Sequence, residues 1–362
     1  MNFARLFVAA LLALYLFVPL SSVSANQPSE KRSRVEISAF GVKGDGKNND
    51  TSAFQTALGK LKSNQYLHLP SGTYLIDTLT LPSGVMLVGE KDTIIKGRSS
   101  GAELLQIASD HVTLSNLVLD GNQKRKTALI LNNAHSVLLQ NCEIRNFAGD
   151  AKATARALIV KGGGDIALSN SYFHGIRSES VGNVRAISAW NVESLSIIGC
   201  TFKDVGSLDS GDCVQINGKK DWLCDLTIKD CTFDAFNRRA IKLQTSGGKI
   251  LHNRITANPA TDETPNAQAA IAVFADNNRI ENNLITLHNS RLGIDLNGSH
   301  CSVRNNTIVA DKSGRNKQTS GIRVSAFATY SSIEQNTIRN IPNALDVNPK
   351  ASGVSVNGNV QK

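Results

Sequence analysis

The stretch IENNLITLHNSRLGIDL, residues 280–296, contains the two elements whose repetition decides the fold. Its first six residues follow a simple pattern: an apolar residue, any residue, a polar or small residue, two further residues and an apolar residue. Eight other segments share it: LSNLVL from Leu114, LQNCEI from Leu139, LSNSYF from Leu168, IIGCTF from Ile197, IKDCTF from Ile228, ILHNRI from Ile250, VRNNTI from Val303 and IEQNTI from Ile333. Neighbouring copies are 22 to 31 residues apart. A period in this range indicates stacked supersecondary units.

A second element accompanies each copy, as GIDL does at residues 293–296. A small residue is followed by apolar, variable and apolar positions, which predicts a strand with one inward and one outward face. The other copies are ALIL from Ala128, ALIV from Ala157, AISA from Ala186, CVQI from Cys213, AIKL from Ala240, AIAV from Ala270, GIRV from Gly321 and ALDV from Ala344. A β-propeller needs a longer period, and the leucine-rich repeat consensus is absent. The sequence therefore predicts an all-β parallel solenoid of about ten or more coils.

One turn position of the repeat predicts a column of stacked side chains. It holds Asn253, Asn283, Asn306 and Asn336, whose amides can bond each other and the adjacent backbone. In earlier coils the same position holds Cys142, Cys200 and Cys231, small residues that suit a buried column. Cys200 and Cys231 could form a disulfide or remain buried thiols, and the pairing of Cys213 with Cys224 is equally open. The cysteines have no metal-ligand spacing.

The first 25 residues read as a secretory signal. Arg5 precedes an apolar run from Leu6 to Leu20, and Val23 and Ala25 supply the small residues before a cleavage site. We expect a secreted or periplasmic protein in which residues 26–362 form one β-helix domain. No later segment approaches the ~20 apolar residues of a membrane span.

The charge balance favours an acidic partner. The chain has 39 Lys and Arg against 30 Asp and Glu, a net charge of +9, which becomes +8 when the segment with Arg5 is removed. A basic surface attracts polyanions. Aromatic residues make up 5% of the chain and basic runs are scarce, which disfavours nucleic acid. We expect an acidic polysaccharide as partner and a monomeric protein.

The segment 37–61 predicts a cover for the first coil. Asp50 or Thr51 is expected to cap a helix whose apolar face includes Phe54 and Leu58. A solenoid needs such a terminal cover with a polar outer side. LHLPSGTYLI and LTLPSGVMLVGE, residues 67–76 and 79–90, then read as the first coils.

The opening of the chain resembles a known family. FGVKGDGKNNDTSAFQTAL, residues 40–58, followed by LHLPSGTYLI, is similar to the N-terminal signature of the pectate-lyase-like superfamily. The resemblance implies a single-stranded right-handed parallel β-helix with an N-terminal capping helix. Polygalacturonase-like hydrolases, tailspike depolymerases and alginate epimerases share this fold, so the resemblance implies the architecture more strongly than the reaction.

The outward positions of the second strand predict a cationic groove. Coils in such a stack lie ~4.8 Å apart, so outward residues form columns on one surface. Four successive coils contribute Arg156, Lys161, Arg185, Trp190, Asp212, Gln215, Asn217, Arg239, Lys242 and Gln244. Singly, such cations are usually solvated. Clustered like charges repel one another, however, and Asp212 alone dilutes them, which favours a binding site for an acidic ligand.

A glycoside hydrolase is one interpretation of this surface. SGDCVQING, residues 210–218, resembles the Asp-Asp-Cys strand of polygalacturonase-like enzymes, with Asp212 and Cys213 at the second Asp and the Cys. Ser210 and Gly211 stand where the first Asp of that strand, preceded by Gly, is expected, the preceding coil lacks the Asn-Thr-Asp motif, and no Gly-His-Gly segment follows. Hydrolysis needs two suitably separated carboxylates, and Asp209 with Asp212 is the only local pair.

Lyase chemistry suits the residues better. Elimination from a uronic acid requires a neutralised carboxylate and a base that takes the C5 proton. We assign Lys242 as base, Arg239 and Arg185 as carboxylate clamps, and Asp212 as orienter, proton donor or Ca²⁺ ligand. The expected substrate-binding residues are Arg156, Lys161, Trp190, Asp209, Gln215, Asn217, Arg238 and Gln244. Ca²⁺ is a candidate cofactor, and a C5-epimerase, an exopolysaccharide-processing protein and a non-catalytic binding module remain alternatives.

Overall fold

The chain winds into a parallel β-solenoid. The computed structural model describes residues 32–150, 154–178, 184–207, 211–218, 222–257, 268–288, 292–311 and 319–362, so the expected secretory signal lies outside the described residues. Three sheets run the length of the stack, with 13, 13 and 11 strands among these residues. Successive coils pair in parallel, as where Ile280 lies between Ile250 and Val303. The predicted all-β solenoid is confirmed, and helix is scarce.

Every coil contributes strands to the sheets in a fixed order. The first sheet contains Ser33–Glu36, Gln65–Leu69, Met86–Gly89, Thr113–Ser115, His135–Gln140, Gly164–Ser169, Ser194–Ile198, Asp225–Lys229, Lys249–Leu251, Arg279–Glu281, Ser302–Arg304, Ser332–Glu334 and Ser355–Asn357. The second contains Asp45–Asn49, Gly72–Ile76, Thr93–Gly97, Val118–Asp120, Glu143–Gly149, Tyr172–Ser178, Thr201–Ser207, Thr232–Phe236, Arg254–Ala257, Leu284–Leu287, Thr307–Ala310, Thr337–Arg339 and Val360–Gln361. The third contains Leu79–Leu81, Gly101–Ile107, Arg125–Asn132, Arg156–Lys161, Val184–Trp190, Gly211–Asn217, Arg239–Gln244, Ile271–Val273, Leu292–Leu296, Ser320–Val324 and Asn343–Val347.

The six-residue motif forms two short strands instead of one, so a coil has three strands where the sequence predicts two. In the copy that begins at Ile280, the strands Arg279–Glu281 and Leu284–Leu287 are separated by Asn282, at φ +59°, and Asn283. Few residues other than glycine adopt this left-handed conformation, and Asn does so most readily. The positive φ turns the chain from the first sheet to the second.

The predicted asparagine column is confirmed. Both Asn253 N and its side-chain Nδ2 donate to Asn283 Oδ1, each at 2.9 Å. The same pair of bonds joins Asn283 to Asn306 and Asn306 to Asn336. The column continues to Asn359, which lies beyond the nine copies of the motif.

All six cysteines lie among the described residues, and each is a buried free thiol. The open question at Cys200 and Cys231 is therefore decided in favour of thiols, as it is at Cys213 and Cys224. Burial raises the pKa of the Cys224 thiol to about 12, which keeps it protonated and unreactive.

A continuous apolar core fills the solenoid. The rings of Phe173, Phe202 and Phe233 stack on consecutive coils with centroids 5.1 and 4.8 Å apart. Aromatic rings prefer such offset contacts, and each large side chain in this column is fully buried. The strand spacing thus sets the spacing of the core residues.

At the N-terminal end, a 3₁₀ helix spans Ile37–Phe40 and an α-helix spans Thr51–Lys60. Phe54 and Leu58 of the α-helix are buried. Asp50 is the N-cap residue, one of the two that the sequence predicts, but its side chain makes no capping bond to the helix. Its carboxylate accepts bonds from the backbone of Lys43 and Gly44 at 2.7 and 3.0 Å instead. That this helix closes the stack stays a prediction. None of the described helices is long and apolar enough to cross a membrane.

Candidate functional site

The outer face of the third sheet brings most of the predicted site residues together. We name three rows that run across its strands. The entry row is Arg156, Arg185, Asp212 and Arg239; the central row is Ile159, Ser188, Gln215 and Lys242; the exit row is Lys161, Trp190, Asn217, Gln244 and Phe274. Neighbours within a row lie on adjacent coils, about 4.8 Å apart. The alignment predicted from the repeat is thus observed, while the roles of these residues stay predictions.

The entry row is much less exposed than the sequence leads us to expect. Arg185, Asp212 and Arg239 are 8%, 4% and 5% exposed, and Gln215 in the central row is also buried. Long side chains on coils this close together cover one another, which the spacing of outward positions does not reveal. On the accessible part of the face, Lys161 and Phe274 are exposed, and the half-buried side chains are those of Arg156, Ile159, Trp190, Asn217, Lys242 and Gln244.

Arg239 and Asp212 form a buried ion pair. Arg239 Nε donates to Asp212 Oδ1 at 2.9 Å, and both side chains are almost fully enclosed. Asp212 therefore competes with a ligand carboxylate for Arg239, and the assignment of Arg239 as a carboxylate clamp stays a prediction. The sequence places the two residues in one row but does not indicate whether they pair.

Arg156 and Arg185 have no such partner. The Nε atoms of both are buried without a hydrogen bond, and no carboxylate in the described residues bonds either guanidinium. Burial lowers the pKa of Arg185 to about 10, an effect that nearby Asp212 opposes. Buried donors are normally satisfied, so two adjacent orphans point to a ligand that supplies acceptors.

Two more unpartnered polar atoms lie in the central row. Ser188 Oγ and Gln215 Oε1 are buried and make no hydrogen bond. Gln215 uses its other atom, Nε2, to donate to Asn217 Oδ1 at 2.8 Å and Gln244 Oε1 at 3.2 Å. Four orphaned polar atoms therefore occur on three successive strands, on the same face.

Lys242 is a half-buried cation of the central row whose pKa is lowered. Burial, followed by the neighbouring positive charge of Arg239, lowers the pKa of Lys242, while Asp212 acts in the opposite sense. Within the described residues no carboxylate reaches its ammonium group, which lies 5.7 Å from the centre of the Phe274 ring. A lysine in such a position is available as a base at lower pH than an exposed one.

The exit row contains two aromatic rings, Trp190 and Phe274. The guanidinium of Arg156 lies 5.4 Å from the centre of the Trp190 ring, a cation–π contact. Phe274 plays the same part for Lys242 and is 42% exposed. No role was predicted for Phe274, although its place after Gln244 in the row indicated that it belongs to this face.

Two of the expected substrate-binding residues are not part of the three rows as the structure describes them. Arg238 precedes the strand and donates from Nε to Gln268 Oε1 at 2.8 Å. Asp209 lies outside the described residues. In the parts of the chain that the structure describes, no three His, Cys, Asp or Glu side chains are grouped so as to hold a metal ion.

Two family models match the chain. The one described as rhamnogalacturonase A/epimerase, pectate lyase-like, matches residues 35–234. The other, a right-handed β-helix region, matches residues 185–360. Together the two matches include every residue of the three rows.

Solved structures with the same fold come from several kinds of protein. The adhesin PfbA of Streptococcus pneumoniae has a TM-score of 0.66 at 13% identity, over 91% of this chain and 90% of that one. An exopolygalacturonase of Thermotoga maritima has a TM-score of 0.65 at 14% identity, over 91% of each chain. An alginate lyase bound to a trisaccharide has a TM-score of 0.67 at 15% identity, over 91% and 85%. At these identities the similarity shows the fold alone.

Preneck appendage proteins of Bacillus phages PZA and phi29 are 31% identical over 106 residues. The match covers 26% of this chain and 12% of each phage protein, so the chain corresponds to a small part of their length.

Proposed function

Because the chain belongs to the rhamnogalacturonase A/epimerase, pectate lyase-like family, we propose that it is an enzyme that cleaves an acidic, uronate-containing polysaccharide by β-elimination. One observation carries the proposal: Arg156 and Arg185, whose buried Nε atoms have no hydrogen-bond partner, lie in the same cluster as Lys242, whose pKa is lowered. Perturbed titratable groups beside unsatisfied donors are typical of sites that bind and transform a charged ligand.

The guanidinium groups suit the carboxylate of a uronic acid. Removing the proton from C5 places negative charge on the carboxylate, which becomes enolate-like. Donors that are already oriented and partly desolvated stabilise that charge strongly. Arg185 and Arg156 would supply them, in place of the paired Arg239.

Lys242 suits the role of the base that takes the C5 proton. The neutral amine takes the C5 proton, the C5–H electron pair forms the C4–C5 double bond, and the C4–O bond breaks. The ammonium of Lys242 can then protonate the departing oxygen, so that the proton count balances. Burial and Arg239 favour the neutral amine that the first step needs.

Asp212 and Arg239 act on the chemistry through Lys242. Arg239 lowers the pKa of the lysine and Asp212 raises it, so the pair sets the pH at which the base becomes neutral. The buried bond between them fixes both charges at one distance from the amine. We therefore assign this pair a positioning role.

Hydrolysis is less well supported. The four strands Arg156–Lys161, Val184–Trp190, Gly211–Asn217 and Arg239–Gln244 carry a single carboxylate, Asp212, and it is engaged by Arg239. The second carboxylate that a glycosidase requires is absent from these strands. Epimerisation shares the proton abstraction and differs only in the return of the proton.

The test is Lys242→Ala, assayed on polygalacturonate and on alginate by the absorbance of the unsaturated product. We expect a loss of at least about 100-fold, the usual contribution of a general base. Lys249→Ala is the matched control, because Lys249 is partly exposed on the first sheet and pairs with Asp225. It should leave the rate unchanged.

Other outcomes identify the alternatives. An undiminished rate in Lys242→Ala would remove the lysine from the mechanism. New reducing ends without a double bond would indicate a hydrolase, and deuterium uptake without shortening would indicate an epimerase. A polymer that binds but never changes would indicate a binding module.

A further inference from the structure

Two of the six buried thiols are neighbours in the column that the asparagines continue. Cys200 and Cys231 occupy the same turn position on adjacent coils, and the bond from Thr232 N to Cys200 O, at 2.9 Å, holds the two coils in register. Pairing of this kind brings the Cα atoms of such residues to about 4.8 Å. That separation lies within the range of about 4.4–6.8 Å that a disulfide spans.

The sulfur of Cys231 is directed toward the coil of Cys200. Cys231 Sγ lies 3.4 Å from Ile197 O, an atom of the preceding coil three residues before Cys200. The two thiols are hydrogen-bonded to each other, and both residues are almost fully buried. The sulfurs can therefore approach each other by side-chain rotation, without displacement of the coils.

The positions of other cysteines lack this arrangement. Cys142 belongs to the same column, but it lies between Leu117 and Ser171 and accepts no neighbouring sulfur there. Cys301 lies at the start of a strand of the first sheet, where its backbone N bonds Ser331 Oγ at 3.1 Å. The stacking of two cysteines on adjacent coils is thus a local feature of the Cys200 and Cys231 turns.

The contact between the two thiols also makes them unequal. The hydrogen bond from Cys231 lowers the pKa of Cys200, and the same bond raises the pKa of Cys231. Burial raises the pKa of the remaining thiols, to about 12 at Cys224 and to about 11 at Cys142 and Cys301. Because the thiolate is the form that reacts with an oxidant, Cys200 is the thiol that reacts first.

We propose that Cys200 and Cys231 are a site of reversible oxidation, at which a peroxide converts the two thiols into a disulfide. Cys200 attacks one peroxide oxygen, the O–O bond breaks, and Cys200 becomes a sulfenic acid while the other oxygen leaves as water. Cys231 then attacks the Cys200 sulfur, the S–O bond breaks, and a second water leaves with the Cys231 proton. The pair loses two electrons and two protons, and the peroxide is reduced to water. The inference is independent of the proposed function.

A disulfide at this place closes a loop around one strand of the candidate site. Residues 200–231 include Gly211–Asn217, the strand that carries Asp212 and Gln215. Closing such a loop removes conformational freedom from the unfolded chain. Oxidation should therefore stabilise the stack and raise its Tm by about 5 °C.

The test treats the folded protein with hydrogen peroxide, unfolds it in an alkylating reagent and maps its peptides by mass spectrometry. We expect one cross-linked pair of peptides that joins Cys200 to Cys231 and is two hydrogen atoms lighter than the reduced peptides, with the other thiols alkylated. Dithiothreitol should reverse the cross-link. Calorimetry of the oxidised protein should show the higher Tm, and reduction should abolish the increase.

Two serine variants separate the roles of the two thiols. Cys231→Ser keeps a hydrogen-bond donor beside Cys200, so peroxide should leave a sulfenic acid at Cys200 that dimedone traps. Cys200→Ser removes the more reactive thiol, so Cys231 should remain reduced under the same conditions. Cys142→Ser is the matched control, because it changes a buried cysteine of the same column and should leave the cross-link unchanged.

Three results would overturn the proposal. The first is loss of all six thiols at equal rates, and the second is a cross-link between other cysteines. The third is a Cys200 and Cys231 pair that stays reduced in the unmodified protein, a result that needs no variant to fold. Oxidation of Cys231 in Cys200→Ser as fast as in the unmodified protein would contradict the assigned order of attack.

Discussion

At the scale of single residues, the pH dependence of the enzyme is set by the charges around Lys242. The amine must be neutral to accept the C5 proton, and the neutral fraction grows as pH rises through its pKa. Burial and Arg239 lower that pKa, whereas Asp212 raises it. Rate should therefore increase with pH up to the lowered pKa, and changing either neighbour should move the rise in a known direction.

Arg239→Gln should shift the increase of the reaction rate to higher pH. It removes a positive neighbour and leaves Asp212 unopposed, and both changes raise the pKa of Lys242. Breaking a buried pair by removing one partner also costs about 3–5 kcal/mol of stability. The pH profile of kcat/KM measures the shift, and urea unfolding measures the cost. A profile that moves to lower pH would contradict the assignment of Lys242 as base.

Asp212→Asn should shift the increase of the reaction rate to lower pH. The substitution keeps the shape of the side chain and removes the charge that raises the pKa of Lys242. The two variants lie in one ion pair and disturb the same packing, so each is the control of the other. Shifts in the same direction would mean that loss of packing, and not charge, controls the profile.

The limits of sequence reasoning are clearest at this scale. The repeat correctly aligned Arg185, Asp212 and Arg239 in one row. It could not indicate that Arg239 bonds Asp212 while Arg185 has an orphaned Nε, because that choice depends on side-chain rotamers and burial. The repeat also placed Phe274 after Gln244 in its row, but a single apolar residue at that position did not indicate its contact with Lys242.

At the scale of elements, the asparagine column holds the turn between the first and second sheets. Asn283 accepts two bonds from Asn253 and donates to Ile250 O and Asn306 Oδ1. The repeat predicted this column from spacing alone, since a polar residue recurring at one turn position needs partners. The third strand of each coil was not predictable in the same way, because it depends on the left-handed residue that precedes the column.

Asn283→Ala should destabilise the protein by about 2–4 kcal/mol. The substitution leaves the buried backbone N–H of Asn253 without an acceptor and removes several hydrogen bonds, each worth about 1 kcal/mol. Thr286→Ala, on the same coil but on the outer side of the second sheet, should cost less than about 0.5 kcal/mol. Urea unfolding of both variants measures the difference, and equal stabilities would show that the column contributes little.

At the scale of the whole molecule, long-range charge and buried charge have different effects on binding. The chain carries a net charge of +9, which attracts a polyanion from a distance. Arg185 and Arg239 of the entry row are enclosed by comparison, so salt screens their contacts less. The stacked coils thus divide recognition between a general attraction over the surface and a local site on one sheet.

Raising the salt concentration should therefore slow association with an acidic polymer and change dissociation little. Screening acts on exposed charges separated by about 8 Å or more at physiological ionic strength and leaves enclosed contacts largely intact. Stopped-flow fluorescence of Trp190 with oligogalacturonate separates the two rates. A dissociation rate that rises with salt as steeply as association falls would indicate that surface charges alone hold the ligand.

The most direct measurement of the central claim is mass spectrometry of the products formed from oligogalacturonates and oligomannuronates in water enriched in heavy oxygen. Elimination adds no water to the sugar, so we expect one fragment with a double bond and, before the reducing end exchanges its oxygen with the solvent, no heavy oxygen in the newly formed ends. Lys242→Ala should form no such products. Saturated fragments with one heavy oxygen at each new reducing end would contradict it, because water would then have broken the bond.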